Sequence, residues 1–458
     1  MRHDDSRRIL RYNSTGHGPR LVNTTLEQLR AGMPADTRQL KMSCGLTEFP
    51  REIFDLADTL ESLDLSGNAL FSLPDDLPRL HKLRIIFCSN NQFTELPEVL
   101  GRCPQLSMIG FKANRIAKVA GASLPETLRW LILTDNRVEA LPAEIGNCGQ
   151  LQKLMLAGNR LKTLPPELAA CTRLELLRLA ANRLDELPVW LTSMPRLSWL
   201  AYAGNPLSET LEIDALTHTP ISSIEWRDLE LQHVLGEGAS GVIYRATYSS
   251  PDNARRAVAV KLFKGAVTSD GLPRCEMAAC INAREHPNLI SVLGKVHAHP
   301  QGADALVLEL IDPAFRNLAG PPSLDSCTRD IYAGDIRFTL SAALSIAFGI
   351  ASAACHLHDK GIMHGDLYAH NILHCGEGRA LMGDFGAASF YSPQTPRALS
   401  LQRLEVRAFG CLLEELIDRC DSAEPSLSKL KDACMSEKID ERPLFHEIVP
   451  ALAALMKA

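Results

Sequence analysis

The run Met363-His-Gly-Asp-Leu-Tyr-Ala-His-Asn-Ile-Leu373 holds the residue types best suited to chemistry, with Asp366 and Asn371 five positions apart. A carboxylate there can orient and deprotonate an attacking hydroxyl, and an amide oxygen can ligate a hard cation on phosphate groups. The pairing suits phosphoryl transfer. Alone it is also what turn-capping residues produce, so its meaning depends on what lies around it.

Other features arrive in a fixed order. Leu235-Gly-Glu-Gly-Ala-Ser-Gly-Val242 is a GxGxxGxV loop whose glycines let backbone N–H groups approach phosphate. A strand rather than a helix follows it, which excludes a dinucleotide loop. Ala257-Val-Ala-Val-Lys261 is a β-branched strand ending in a lysine placed for nucleotide phosphates. A helix expected over Leu272–Ala283 carries Glu276, the partner expected for Lys261, with Glu285 as the alternative. The apolar strand Ala305–Ile311 offers backbone groups of Glu309 to Ile311 to an adenine. A long helix, Leu340–His358, leads into the loop of Asp366, and Leu381-Met-Gly-Asp-Phe-Gly386 then supplies a second metal carboxylate, Asp384.

This ordered set resembles the eukaryotic-type protein kinase family over residues 225–458. The resemblance implies that Asp366 is the catalytic base, that Lys261 and Glu276 belong to the catalytic machinery, and that Asn371 and Asp384 hold Mg2+. It implies ATP bound by Gly236, Glu237, Gly238, Ala239, Ser240, Gly241, Val242, Ala259, Lys261, Glu309, Ile311 and Leu373. Several positions depart from the family pattern. Gly365 stands where many kinases carry Arg, and Tyr368 where serine/threonine kinases carry Lys. The Ala-Pro-Glu signature is missing and the segment after Gly386 is short, so Arg442 lacks its usual glutamate. Glu405 stands where an Asp normally anchors the catalytic loop. Ser389, Tyr391, Ser392, Thr395 and Ser400 read either as autophosphorylation sites or as an ordinary polar surface loop.

The first half of the chain is periodic. Asn68, Asn91, Asn114, Asn136, Asn159, Asn182 and Asn205 are 23, 23, 22, 23, 23 and 23 residues apart, each in the frame LxxLxLxxN. This resembles the leucine-rich-repeat family over residues 37–219, with about eight repeats. The expected architecture is two domains. An α/β leucine-rich-repeat solenoid (37–219, after a lead-in at 1–36) precedes a bilobal α+β protein-kinase-like fold (220–458). The whole resembles soluble leucine-rich-repeat kinases.

Within the repeat frame the third and fifth positions should face outward on the strands. There Ile85, Phe87, Met108, Trp130, Ile132, Met155, Leu176 and Trp199 would form an apolar concave stripe, as partner surfaces do. The stripe is expected to take a protein substrate or partner, or to dock on the chain's own second half; in the other register some of these residues are core. Cys103, Cys148 and Cys171 recur at one repeat position and read as small buried hydrophobes.

Of 458 residues 46% are hydrophobic and 22% charged, and the net charge of −6 gives no electrostatic case for nucleic acid. Thirteen scattered cysteines point to reduced thiols and a cytoplasmic location. The charged N-terminus argues against a secretory leader, and the longest apolar stretch, Ala342–Ala354, is too short for a membrane span. His356, His358, His364, His370, His374 and Cys375 crowd together without zinc-site spacing. The leading expectation is an ATP-dependent protein kinase, serine/threonine by type; the alternative is a pseudokinase scaffold that binds nucleotide and recruits partners. A small-molecule phosphotransferase shares the His-Gly-Asp writing of the loop, but Val-Ala-Val-Lys, His-Pro-Asn and Arg-Pro-x-Phe argue against it.

Overall fold

The computed structural model describes residues 23–252, 254–265, 267–376, 378–422 and 424–457. Most of the expected lead-in, up to residue 22, lies outside these described residues. The chain forms two compact units: one runs to Leu197 and takes in Asn205–Leu207, and the other holds Ser198–Gly204 and everything from Ser208 on.

The first unit opens with helix α1 (Leu26–Arg30), whose Thr25 and Gln28 form a reciprocal capping box. Its repeats contribute β1 (Gln39–Lys41), β2 (Ser62–Asp64), β3 (Ile85–Phe87), β4 (Met108–Gly110), β5 (Trp130–Ile132), β6 (Lys153–Met155) and β7 (Leu176–Arg178). Each strand pairs in parallel with the next, matching residues one repeat apart. The middle residue of each strand points inward: Leu63, Ile86, Ile109, Leu131, Leu154 and Leu177 have no exposed surface. The Asn of each frame ties neighbouring repeats together. The Asn159 Nδ2 donates to Leu133 O (2.8 Å) and Leu156 O (2.9 Å), while its Oδ1 accepts from Val138 N (2.9 Å). Buried backbone groups at the turn are thereby satisfied by one amide, which explains the residue type.

Proline precedes the short 3₁₀ turns of the convex side at Pro97, Pro142, Pro165 and Pro188. Cys103, Cys148 and Cys171 are buried where these turns end, as expected of small hydrophobes. Burial pushes the Cys103 and Cys148 thiols up to about 11 and that of Cys171 to about 12.

The expected apolar stripe is narrower than the sequence suggests. Ile85, Phe87, Trp130, Ile132 and Met155 are half-buried, whereas Met108, Leu176 and Trp199 are buried. Part of the stripe packs on itself. The Lys153 ammonium lies 4.3 Å from the Trp130 ring, and Trp130 Nε1–H points at Met155 Sδ (3.4 Å).

The second unit begins with β8 (Trp199–Ala201), the strand of the last repeat frame, and α2 (Pro206–His218). A six-stranded sheet follows, built from β9 (Ser223–Glu225), β10 (Leu229–Glu237), β11 (Gly241–Ser249), β12 (Arg255–Phe263), β13 (Val292–His297) and β14 (Ala305–Glu309) in the order β10-β11-β12-β14-β13-β9. The start of the second expected domain, at β9, therefore contributes an edge strand, with Val296 paired to Ile224 in parallel. Inward residues Ala246, Val258, Val260, Ala305 and Val307 form the apolar centre of this lobe. Helix α3 (Pro273–Ala283) crosses between the strands in sequence.

The helical lobe holds α4 (Leu340–Asp359), α5 (Pro396–Ile417), α6 (Pro425–Cys434) and α7 (Phe445–Leu455). The short strand β15 (Arg316–Asn317) precedes α4, and β16 (Ile362–Met363), β17 (Ile372–His374), β18 (Ala380–Met382) and β19 (Ser389–Phe390) lie between α4 and α5. At 20 residues α4 is longer than the apolar run inside it and, by length and composition alone, could cross a membrane. Here it is a core helix, with Ile346, Ala347, Ile350 and Ala351 fully buried.

Candidate active site

Strand β12 sets the position of Lys261, whose residue pair across the sheet is Leu306. Its ammonium forms an ion pair with Glu276 of α3, and both side chains are largely buried. Burial opposes the Lys261 charge, but Glu276 first and then Asp384 outweigh it, holding the lysine above its ordinary pKa. Glu285 is exposed beyond the end of α3, so the geometry selects Glu276.

The glycine-rich loop is the β10–β11 hairpin, closed by Gly238 N–H to Gly241 O at 2.9 Å. Its two later glycines differ. A Cβ on Gly241 would stand 2.4 Å from Leu262 O, so sheet packing demands glycine there. A Cβ on Gly238 would meet nothing, which leaves open space above the loop for a ligand. Ala259 is buried on β12 opposite Leu308, and Leu373 lies in β17 opposite Leu381. Glu309 ends β14, its N–H given to Ser291 O (2.9 Å), with Ile311 half-buried just beyond.

Asp366 and Asn371 meet in the structure. Asn371 Nδ2 donates to the Asp366 carbonyl (3.0 Å) and to its carboxylate Oδ2 (2.8 Å). That leaves the amide oxygen of Asn371 as the atom for a cation. Asp384 adds an exposed carboxylate; its backbone is left-handed (φ 57°) and its Oδ1 accepts from Gly386 N at 3.2 Å. These donors are all hard oxygens, a set that fits magnesium.

Beneath the loop lies Glu405 of α5, fully buried. It accepts from His364 N (3.2 Å) and Gly365 N (2.7 Å) and bonds His358 Nε2 (2.8 Å). Burial would push this carboxyl up, but His358, His364 and the Gly365 amide together hold it below the ordinary glutamate value. The ring of His364 reaches Gly383 O (2.9 Å) beside Asp384. Arg442 is buried and donates to the carbonyls of Ser436 (2.8 Å) and Arg403 (3.1 Å); burial and Arg407 lower it to about 10.

Two of the segment's hydroxyls are not on a surface loop. Ser389 is fully buried in β19, and Tyr391 is buried with its OH donating to His358 O (3.1 Å). Ser392 and Ser400 are half-buried and Thr395 is exposed. The crowded histidines turn to separate partners: His356 to Ala283 O and His370 to Asp330, besides the bonds of His358 and His364. Among the described residues, the group whose ligand atoms converge is Cys355, Asp359 and His446, of which none was singled out in the sequence.

The family described as protein tyrosine and serine/threonine kinase matches residues 229–407, and leucine-rich-repeat families match residues 59–80, 126–184 and 149–207. The chain joins leucine-rich repeats to a protein kinase domain. It is similar to a mimivirus protein named as a serine/threonine-protein kinase (L673, Acanthamoeba polyphaga mimivirus), at 25% identity over 47% of this chain and 39% of that one. The tyrosine-protein kinase receptor TYRO3 of Danio rerio is 30% identical over 42% of this chain and 22% of its own length. Leucine-rich repeat and calponin homology domain-containing protein 1 of Mus musculus is 30% identical over 27% and 17%. The chain thus spans well under half the length of each of these relatives.

Sequence reasoning missed the residues just before the kinase domain. Trp199 stacks flat on Tyr368, with ring centroids 4.1 Å apart and planes 7° from parallel. The only signal was its place in the repeat frame, which assigned it to the stripe.

Proposed function

We propose that this chain is an ATP-dependent protein kinase that transfers the γ-phosphate of Mg-ATP to a protein hydroxyl, serine or threonine by type. The observation that carries this reading is the coexistence of the buried Lys261–Glu276 pair with the Asp366–Asn371 bond. A catalytically decayed kinase has no need to keep both. Asp366, its carboxylate held by Asn371, orients the acceptor hydroxyl and takes its proton. Lys261 holds the nucleotide phosphates, the hairpin of Gly236, Gly238 and Gly241 covers them, and Glu309 and Ile311 meet the adenine over Leu373. Asn371 and Asp384 would hold magnesium, which when bound neutralises phosphate charge.

The half-buried residues Ile85, Phe87, Trp130, Ile132 and Met155 are the proposed partner surface. A reducing, cytoplasmic setting fits thirteen free thiols. The pseudokinase reading draws on the brevity of the segment between Gly386 and Pro396, where α5 already begins. Tyr368 leaves the acceptor type to experiment, and phosphoamino-acid analysis of the product decides it.

The test is transfer of labelled γ-phosphate by the full chain beside Asp366→Ala, with generic protein acceptors. The expected loss is about 10²–10⁴-fold. ATP binding by the wild type without transfer would instead establish the scaffold.

A further inference from the structure

Residues 198–219 touch the loop of Asp366, the segment after Asp384, helix α5 and the helix of Glu276. At the catalytic loop, Trp199 stacks on Tyr368, and its Nε1–H donates to Leu367 O at 3.0 Å, next to Asp366. At the segment after Asp384, Tyr202 donates its N–H to Ser389 Oγ (2.9 Å) and its OH to Phe390 O (3.1 Å). On α5, Arg407 donates to Ser198 Oγ at 3.0 Å. The three side chains from this stretch, Ser198, Trp199 and Tyr202, are buried, as are Ser389 and Arg407.

The same run continues into α2 and reaches the helix of Glu276. Glu212, buried, accepts from Gly204 N (2.8 Å), from Ser208 Oγ (2.7 Å) and from the Cys275 thiol (3.2 Å). Cys275 directly precedes Glu276 on α3. Asn282 at the far end of α3 donates to Ala215 O (2.9 Å) and accepts from Thr219 Oγ1 (2.8 Å). One continuous stretch therefore grips α3 at two places and the catalytic loop at two residues.

Gly365 supplies an independent observation. Its φ is +72°, and a Cβ there would stand 2.5 Å from Ala387 O and 2.7 Å from Leu200 O. The backbone of β8 shares with Ala387 O the space a side chain would need, so β8 is seated directly against the residue before Asp366. The glycine at 365 is what lets β8 approach this closely.

We propose that residues 198–219 are a built-in brace that keeps the Lys261–Glu276 pair and the Asp366 loop assembled without a phosphate on the activation segment, with Trp199, Tyr202 and Glu212 as positioning residues. This inference rests on the phosphotransferase reading of the same site. A plug that merely blocked the site would have no reason to hold α3 with Glu276 already paired.

The experiment compares full-length Trp199→Ala, Trp199→Phe and Tyr202→Phe with wild type under Mg-ATP. Trp199→Ala is expected to lower kcat about 10- to 100-fold while the KM for ATP stays within about twofold, because the nucleotide contacts are untouched and the loop is not. Trp199→Phe, which keeps a ring on Tyr368, should recover most of that loss. Unchanged kcat would overturn the proposal, and increased kcat would mean that the stretch inhibits. Tyr202→Phe deletes one hydroxyl and leaves no cavity, so it serves where Trp199→Ala fails to fold. It is expected to lower kcat about threefold, the worth of one modest hydrogen bond, and no change would count against the brace.

Amide hydrogen exchange separates this inference from the kinase reading. If wild type transfers no phosphate, the kinase reading fails, yet the brace still predicts about tenfold faster exchange over 364–371 in Trp199→Ala with the repeats unchanged. Equal exchange in that loop would overturn the brace whether or not phosphate is transferred.

Discussion

Within the repeats and within the kinase unit, different kinds of contact hold the chain in place. In the repeats the same bonds recur one frame later: Asn136 reaches Phe111 O, Asn159 reaches Leu133 O, and Asn182 reaches Leu156 O. Each contact spans about one repeat, so stability accumulates from neighbours. In the kinase unit a single residue gathers distant ones. Glu405 binds three groups 40 to 47 positions away, and Trp199 meets Leu367 across 168. Damage should therefore be graded in the first region and concentrated in the second.

The largest expected effect is at Glu405. Glu405→Ala strips a buried carboxylate from His358 and from the amides of His364 and Gly365, and should cost about 3–5 kcal/mol as well as phosphate transfer. Urea unfolding followed in the kinase unit measures it. A loss no larger than that of one repeat asparagine would break the contrast.

A pH dependence comes next. The folded-state pKa of Glu405 lies below its unfolded value, so its contribution is fully present above the ordinary carboxylate range. That contribution is lost as pH falls through the depressed folded value. The unfolding midpoint of wild type should drop between about pH 5 and pH 3 more steeply than that of Glu405→Gln, which has no carboxyl to titrate. Parallel curves would show that Glu405 does not carry the acid sensitivity.

The smallest effects belong to the repeats. Asn159→Ala removes one amide that serves three backbone groups and should cost about 1–3 kcal/mol. Combined with Asn68→Ala, four repeats away, the two costs should add within about 0.5 kcal/mol by thermal unfolding. Strong non-additivity would mean the repeats are as tightly coupled as the contacts around Glu405.

Much of this was legible in the residues themselves. A 23-residue period fixes which side chain is the strand centre, because alternation along a strand is a local property. Leu63, Ile86 and Leu131 are therefore buried as the frame requires. The order Gly236, Lys261, Asp366, Asn371, Asp384 likewise pointed to residues that act together, and the structure pairs Lys261 with Glu276 and Asp366 with Asn371; Glu405, too, announced itself by position.

What faces those residues was not legible. Periodicity gives Trp199 an outward direction, but whether outward means water or Tyr368 depends on chain far away in sequence. Glu212 carries no motif at all, and its bond to Cys275 exists only because α2 folds beside α3. Gly365 read as a missing arginine; its positive φ and the carbonyls of Ala387 and Leu200 made it a requirement. Local pattern decides which way a side chain points and what chemistry it offers. Packing between distant segments decides its neighbours, its burial and its charge, and only the tertiary structure sets those.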